Sequence, residues 1–265
     1  MKLSLCLDML FTDRPFVERI KAASDCGYRG FEFWDWRDKP IEAVAQASRA
    51  CGLTVAAMSG NRRHALIDPA ARAGLVVEMR EVLDVAARLS CHNLMMLSDV
   101  LTPDGNAAVI STMTRDQKIE SMVQGLRVLS RAAEAAGATL LLEPLNTRLD
   151  HRGCFLDSSG LALEIVREVE SPQIKILYDI YHMHMMGEDV LREIERNFAW
   201  IGYIHLADSP GRHQPGTGEV DWPAVAQLLH GLGYQGFLGM EFAPLGPSLA
   251  AAKVPLELFG RFVNA

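Results

Sequence analysis

Apolar residues along this chain come in short, near-continuous runs rather than in strict alternation. Eight such runs stand out, at residues 3–7, 30–33, 53–58, 93–97, 139–142, 174–178, 201–206 and 237–240. Runs of that kind are what parallel strands covered on both faces produce. Between them the apolar positions recur with helical spacing. Residues 15–26 carry Phe16, Ile20, Ala22 and Ala23, and residues 78–90 carry Val82, Leu83, Val85, Ala86 and Leu89 on one face. Residues 41–51 repeat the pattern. Residues 117–136 are rich in Ala and Leu and end at Gly137, a C-cap signal. Ser158 or Ser159 is placed to cap 161–169, with Pro172 just beyond its end. Patterns at 188–196 and 222–232 complete the set, the last ending at Gly233.

The predicted unit is an apolar run, a loop and a helix, repeated without sequence identity. Over 265 residues this gives about 33 residues per unit, the spacing of a (β/α)8 (TIM) barrel. A doubly wound open sheet fits less well, because no GxGxxG turn follows a strand. No Pro/Gly/Ser-rich linker divides the chain, so one domain is expected over 1–265. The apolar tail at 254–262 is expected to pack on the barrel or on a neighbouring subunit.

Composition narrows the function. Hydrophobic residues make up 49 % and charged residues 22 %, which excludes a disordered chain and a coiled coil. The net charge of −7 argues against a nucleic-acid partner, which calls for a basic face. The five cysteines are odd in number, spread out and without a CxxC pair, as in a reducing compartment; a cytoplasmic location is expected. No apolar run is long enough to span a membrane, and the N-terminus lacks a cleavage site, so neither membrane nor export is expected.

In this barrel, active sites are built at the C-terminal ends of the strands. The fifth run, TLLLE, ends at Glu143, and the sixth, IKILYD, at Asp179. The seventh, IGYIH, ends near His205, and the eighth, FLGME, at Glu241. Each residue alone has a plainer explanation. Glu143 could pair with Arg148, Asp179 could cap a loop, and His205 could be a satisfied core histidine. Taken together they converge on one mouth, where carboxylates repel one another unless a cation joins them. Such a set suits Mn²⁺, Mg²⁺, Co²⁺ or Zn²⁺.

Other polar groups follow these ends. His182 lies three residues past Asp179, Asp208 three past His205, and Asn146, Arg148 and Asp150 follow Glu143. Arg212 sits in the loop DSPGRHQPGTGE. Glu32, Trp34, Trp36, Asn61, Arg62 and His64 could wall the pocket. His151, His184 and His213 are read as surface residues, and the Met-rich HMHMMG as core packing plus a helix start. Gly216–Gly218 could cradle a phosphate, although a plain loop is the simpler reading. No lysine falls at a strand end, which speaks against a Schiff-base aldolase, and neither a GxSxG elbow nor a P-loop occurs.

The segments LLLEPLNTRLDHRG, KILYDIYHMHMM, YIHLADSPGRHQPGTGEVDW and FLGMEFAP resemble the hydroxypyruvate isomerase family, one of the xylose isomerase-like barrels of sugar isomerases and epimerases. The resemblance is close over the second half of the chain and loose over the first. It implies a divalent metal on Glu143, Asp179, His205 and Glu241, with Glu143 and Glu241 on opposite sides of the substrate as catalytic groups. It also implies substrate contacts from His182 and Arg212; Asp208 and Asp150 are added from their positions. The reaction implied is enediolate proton transfer on a small α-hydroxycarbonyl compound. The first candidate is hydroxypyruvate to tartronate semialdehyde; the alternatives are ketose 3-epimerisation or 2-oxo-tetronate isomerisation. A dimer or tetramer is implied. The loop SGNRRHAL departs from the family's NLP-type loop, and His205 is the epimerase-like choice where some hydroxypyruvate isomerases carry Gln. A metal-dependent phosphodiesterase such as endonuclease IV shares the barrel but needs a larger His-rich set and a basic face.

Overall fold

Each of the eight apolar runs becomes a strand in the computed structural model, which describes residues 1–262; residues 263–265, the end of the expected domain, lie outside the described residues. The strands are β1 Lys2–Cys6, β2 Gly30–Phe33, β3 Thr54–Ser59, β4 Asn93–Met96, β5 Thr139–Leu142, β6 Ile174–Asp179, β7 Ile201–Leu206 and β8 Phe237–Met240. Each pairs in parallel with the next, and β8 pairs with β1 to close the barrel. The chain is thus a single-domain (β/α)8 barrel.

Successive side chains on a strand face opposite ways, and this decides what meets inside. Leu140, Leu142, Ile176, Tyr178, Ile204, Leu206, Leu238 and Met240 belong to the large core between the sheet and its helices. The residues between them, Leu141, Leu177 and Tyr203, form a separate cluster inside the barrel with Ala57 and Met95. Two residues further along the same inward files stand Glu143, Asp179 and His205, and on β8 the file runs through Gly239 to Glu241. Phe31 and Phe33 face the outer core, as do Leu3 and Leu5, so Ser4 and Glu32 point inward. Gly239 is small for a reason: a Cβ there would come within 2.5 Å of Glu32 Oε2 and 2.7 Å of His205 Cδ2.

The helices are α1 Phe16–Cys26, α2 Ile41–Cys51, α3 Arg72–Leu89, α4 Arg115–Ala136, α5 Ser159–Val169, α6 Ile180–Met186, α7 Val190–Asn197, α8 Trp222–Gly231 and α9 Ser248–Phe259. Gly137 closes α4 in the left-handed region (φ 64°), and a Thr114–Gln117 capping box opens it. Ser158, rather than Ser159, caps α5. Helix α3 starts six residues before the expected 78, because Asp68 caps a 3-10 turn at Pro69–Ala71 that runs straight into it. The expected tail is the end of α9, which is helical despite Pro255 within it. Its Phe259 meets the Trp222 ring edge-on at 6.5 Å, and Tyr28 Oη donates to Ala252 O at 2.8 Å. All five cysteines are free thiols. No helix among the described residues is long and apolar enough to cross a membrane.

Candidate active site

The four strand ends do converge. Glu143, Asp179, His205 and Glu241 are all buried and each brings one potential ligand atom within 4.8 Å of the others. His205 Nδ1 lies at the centre, 3.4 Å from Glu143 Oε1, 3.5 Å from Glu241 Oε2 and 3.9 Å from Asp179 Oδ2. Its other nitrogen, Nε2, is 3.0 Å from Glu32 Oε1. Burial alone would discharge the imidazole, but Glu32 and Glu241 hold its pKa well above the ordinary value. Burial pushes the Asp179 carboxyl up to about 7, against the pull of Arg212 and His205. Burial acts on Glu241 in the same sense, yet His205 and Arg212 hold it below the usual carboxylate value.

Asp179 divides its two oxygens. Oδ1 accepts from the His182 N–H at 3.1 Å and starts α6, the capping role allowed for above. Oδ2 and His205 Nδ1 are buried and have no hydrogen-bond partner. Two orphaned buried atoms facing each other among three carboxylates are what a cation site leaves when only the protein is counted. Three oxygens and one imidazole nitrogen fit Mn²⁺, Mg²⁺, Co²⁺ or Zn²⁺. Arg148 does not pair with Glu143; it reaches Met185 O at 3.2 Å.

Glu143 and Glu241 also line a cavity of about 520 Å³, whereas Asp179 and His205 lie beneath it. That volume suits a small metabolite. Of the expected substrate contacts, His182, Arg212 and Asp150 line this cavity. The hydrogen bonds fix the His182 tautomer. Asn146 Oδ1 accepts from the N–H groups of Leu149 and Asp150, so Asn146 Nδ2 donates to His182 Nδ1 at 2.8 Å. The His182 proton is then on Nε2, and burial with Arg212 nearby keeps the ring neutral. Arg212 is a non-glycine residue at φ 54°, an unusual conformation that costs energy and clusters at functional sites. Its Nη2 pairs with Glu241 Oε2, and its guanidinium stacks over the Tyr181 ring at 5.4 Å. Asp150 Oδ2 accepts from Tyr181 Oη at 2.7 Å and Asn146 Nδ2 at 2.9 Å.

Asp208 is placed differently from the expectation. Its carboxylate accepts from the N–H groups of Ser209, Gly216, Thr217 and Val220 and from Trp222 Nε1, at 2.7 to 3.2 Å. Burial would raise its pKa, but these donors hold it below the ordinary value. With both oxygens taken up, it organises the loop that carries Arg212. The same bonds leave Gly216–Gly218 a plain loop whose N–H groups face Asp208. Asp208→Ala is expected to cost about 3–5 kcal/mol, because it strands several donors. Denaturant unfolding checks this; unchanged stability with weakened substrate binding would return Asp208 to the substrate.

Other residues move as well. His151 is buried, not a surface residue: its Nδ1 bonds Gly105 O at 2.8 Å, and its ring meets His182 edge-on at 5.0 Å in the cavity wall. Glu32 lies under His205 rather than in the wall, held by Ser4 Oγ and Tyr203 Oη. Trp34 is in the wall, its Nε1 donating to Glu241 Oε1 at 2.7 Å. Trp36 packs under Arg37 instead.

Comparison with known proteins agrees with this fold. Residues 20–258 match the family described as xylose isomerase-like TIM barrel. The chain is 28 % identical to the 2-oxo-tetronate isomerase of Cupriavidus necator, over 90 % of this chain and 91 % of that protein. It is 29 % identical to the hydroxypyruvate isomerase of Escherichia coli, over 92 % and 94 % respectively. Among solved structures, a family 2 AP endonuclease from Brucella melitensis superposes with a TM-score of 0.88 at 24 % identity, covering 100 % of both chains. The 3-keto-D-glucoside 4-epimerase of Escherichia coli gives 0.84 at 23 %, covering 99 % of this chain and 100 % of that one.

Proposed function

From a chain that belongs to the xylose isomerase-like TIM barrel family, we propose a divalent-metal-dependent isomerase of a small α-hydroxycarbonyl compound. The first candidate reaction is hydroxypyruvate to tartronate semialdehyde. The single observation that carries this reading is the buried group of Glu143, Asp179, His205 and Glu241, with two of its carboxylates opening onto the cavity. Relatives named hydroxypyruvate isomerase and 2-oxo-tetronate isomerase support an isomerase.

The four residues would hold the cation. When bound, it supplies Lewis-acid polarisation of a carbonyl and stabilises the negative charge that develops on deprotonation. The remaining steps belong to the chain. Glu241 is held in its ionised form by Trp34 and Arg212. The Glu143 carboxylate accepts no hydrogen bond among the described residues, with His205 Nδ1 3.4 Å away, so it is the freer base. Glu143 takes the proton α to the carbonyl, and the C–H electron pair forms the enediolate C=C bond. For isomerisation the proton returns to the neighbouring carbon while a hydroxyl proton moves between the oxygens. For 3-epimerisation, the alternative, Glu241 would have to enter the step protonated and give that proton to the opposite face of the same carbon, the two glutamates exchanging protonation states; the hold of Arg212 and Trp34 on its ionised form disfavours this route. His182 donates through Nε2–H to a substrate oxygen, and Asp150 and Arg212 orient the rest. Each general acid or base contributes about 10²–10⁴-fold. A 2-oxo-tetronate is the second candidate substrate, on the relative in Cupriavidus necator.

The family resemblance also implies a homo-oligomer, and the free thiols fit a cytoplasmic location. Proton NMR in D₂O tests the function. Metal-stripped and Mn²⁺-restored protein would be given hydroxypyruvate, a 2-oxo-tetronate and a set of ketoses. Metal-dependent conversion of hydroxypyruvate or the tetronate is the expected result. A new ketose epimer with deuterium at C3 would favour the epimerase. No exchange with any of them, despite bound Mn²⁺, would overturn the proposal.

A further inference from the structure

The four converging residues occupy one side of the barrel mouth, at the ends of β5 to β8. The cavity continues to the other side, where Trp34, Ser59, Arg62 and Met95 line it from the ends of β2, β3 and β4. In an eight-strand barrel β3 lies opposite β7, so Arg62 stands across the mouth from His205.

The segment carrying Arg62 has little freedom. The Gly60 N–H donates to Met95 O at 2.7 Å, and a Cβ on Gly60 would come 2.5 Å from Met96 Sδ. Asn61 is tied to Leu97 in both directions, at 2.9 and 3.0 Å. Glu78, wholly buried on α3, accepts from the backbone N–H groups of Arg62 and Arg63 at 3.0 and 3.1 Å and meets His64 Nδ1 at 3.0 Å. This clamp holds backbone, and the Arg62 side chain takes no part in it.

Its guanidinium has no hydrogen-bond or ion-pair partner among the described residues. Neighbouring cations do have partners: Arg63 pairs with Glu81, Arg37 with Glu78 and Arg212 with Glu241. A guanidinium carried into a cavity wall by a clamped backbone, without a counter-charge, is a receptor for an anion, and its planar fork matches a carboxylate. The carboxylates on the far wall would repel an acid group there. Resting on the isomerase reading above, we propose that Arg62 receives the carboxylate of the substrate, which is therefore a short oxo-acid and not a neutral ketose.

D-Glycerate has the carboxylate and a hydroxyl but no carbonyl to react, and glyceramide is its neutral counterpart. Both would be titrated calorimetrically into Mn²⁺-loaded protein. Arg62→Met is expected to weaken glycerate by about 10- to 100-fold, Arg62→Lys by less, and glyceramide by less than about twofold. Unchanged melting temperature and Mn²⁺ affinity show that the variant is intact. Equal glycerate affinity in Arg62→Met overturns the proposal, as does a wild type that binds no glycerate. So does a loss that follows Arg152→Gln instead, Arg152 being the exposed cation at the rim of the same cavity. Hydroxypyruvate conversion with an unchanged KM in Arg62→Met would sink Arg62 and leave the isomerase. Arg62-dependent glycerate binding without α-proton exchange would do the reverse.

Discussion

Glu143→Gln is expected to slow α-proton exchange by about 10²–10⁴-fold, the usual contribution of a positioned base. Glutamine keeps the shape and one neutral oxygen toward His205 Nδ1 but cannot take a proton. Glu241→Gln is expected to reach a comparable loss by a different route. It removes the ion-pair partner of half-buried Arg212 and leaves that guanidinium with the more distant charges of Asp179, Glu143 and Asp150. Breaking a buried pair from one side costs about 3–5 kcal/mol. The two variants should therefore part company in stability: Glu241→Gln melts well below the wild type, and Glu143→Gln close to it. Deuterium uptake by NMR and thermal unfolding separate the two effects. Full activity in both variants would remove the glutamates from the chemistry.

The second large effect is expected at Glu32, which touches no substrate. Its carboxylate accepts from Tyr203 Oη and Ser4 Oγ and faces His205 Nε2, all in the barrel interior. A carboxylate on one imidazole nitrogen presents the other as a ligand lone pair and raises its basicity. Glu32→Gln is expected to lower Mn²⁺ affinity by about 10–100-fold, the usual effect of removing such a support. Glu32→Ala strands three buried groups as well, and should cost about 3 kcal/mol or more in stability. Mn²⁺ titration followed by electron paramagnetic resonance reads the first effect without any turnover. Wild-type Mn²⁺ affinity in Glu32→Gln would mean that His205 needs no partner behind it.

Why Glu32 was not legible in the sequence is instructive. The strands show as apolar runs because the outer faces of the barrel strands are packed by helices, and those runs lie within two residues of the observed strands. The four chemical residues show because each stands at or next to the C-terminal end of a run. Glu32 sits inside a run, between Phe31 and Phe33, where a lone acid resembles a pocket-wall residue. Only the register across β1, β2, β7 and β8 brings it under His205. The loop-organising role of Asp208 is hidden for a related reason: its position after β7 is visible, but its five donors come from residues up to fourteen positions away. His151 looked like a surface residue because the contact that buries it, with Gly105, crosses between two loops. The SGNRRHAL loop could be seen to differ, yet its clamp depends on Glu78, a residue on a helical face with nothing in its neighbourhood to mark it. Helix α9 was hidden by Pro255, which breaks the usual sequence signal without breaking the helix.

The shared carboxylate of Asp179 links assembly to recognition. One oxygen begins the helix that bears His182, and the other lies 3.5 Å from His182 Nε2 and 3.9 Å from His205 Nδ1. Any force exerted at the centre of that group is passed through one rigid carboxylate to the first turn of α6. A cation held there as proposed would share this carboxylate with the first turn of α6, so that loading the site and steadying the helix that bears His182 would be coupled.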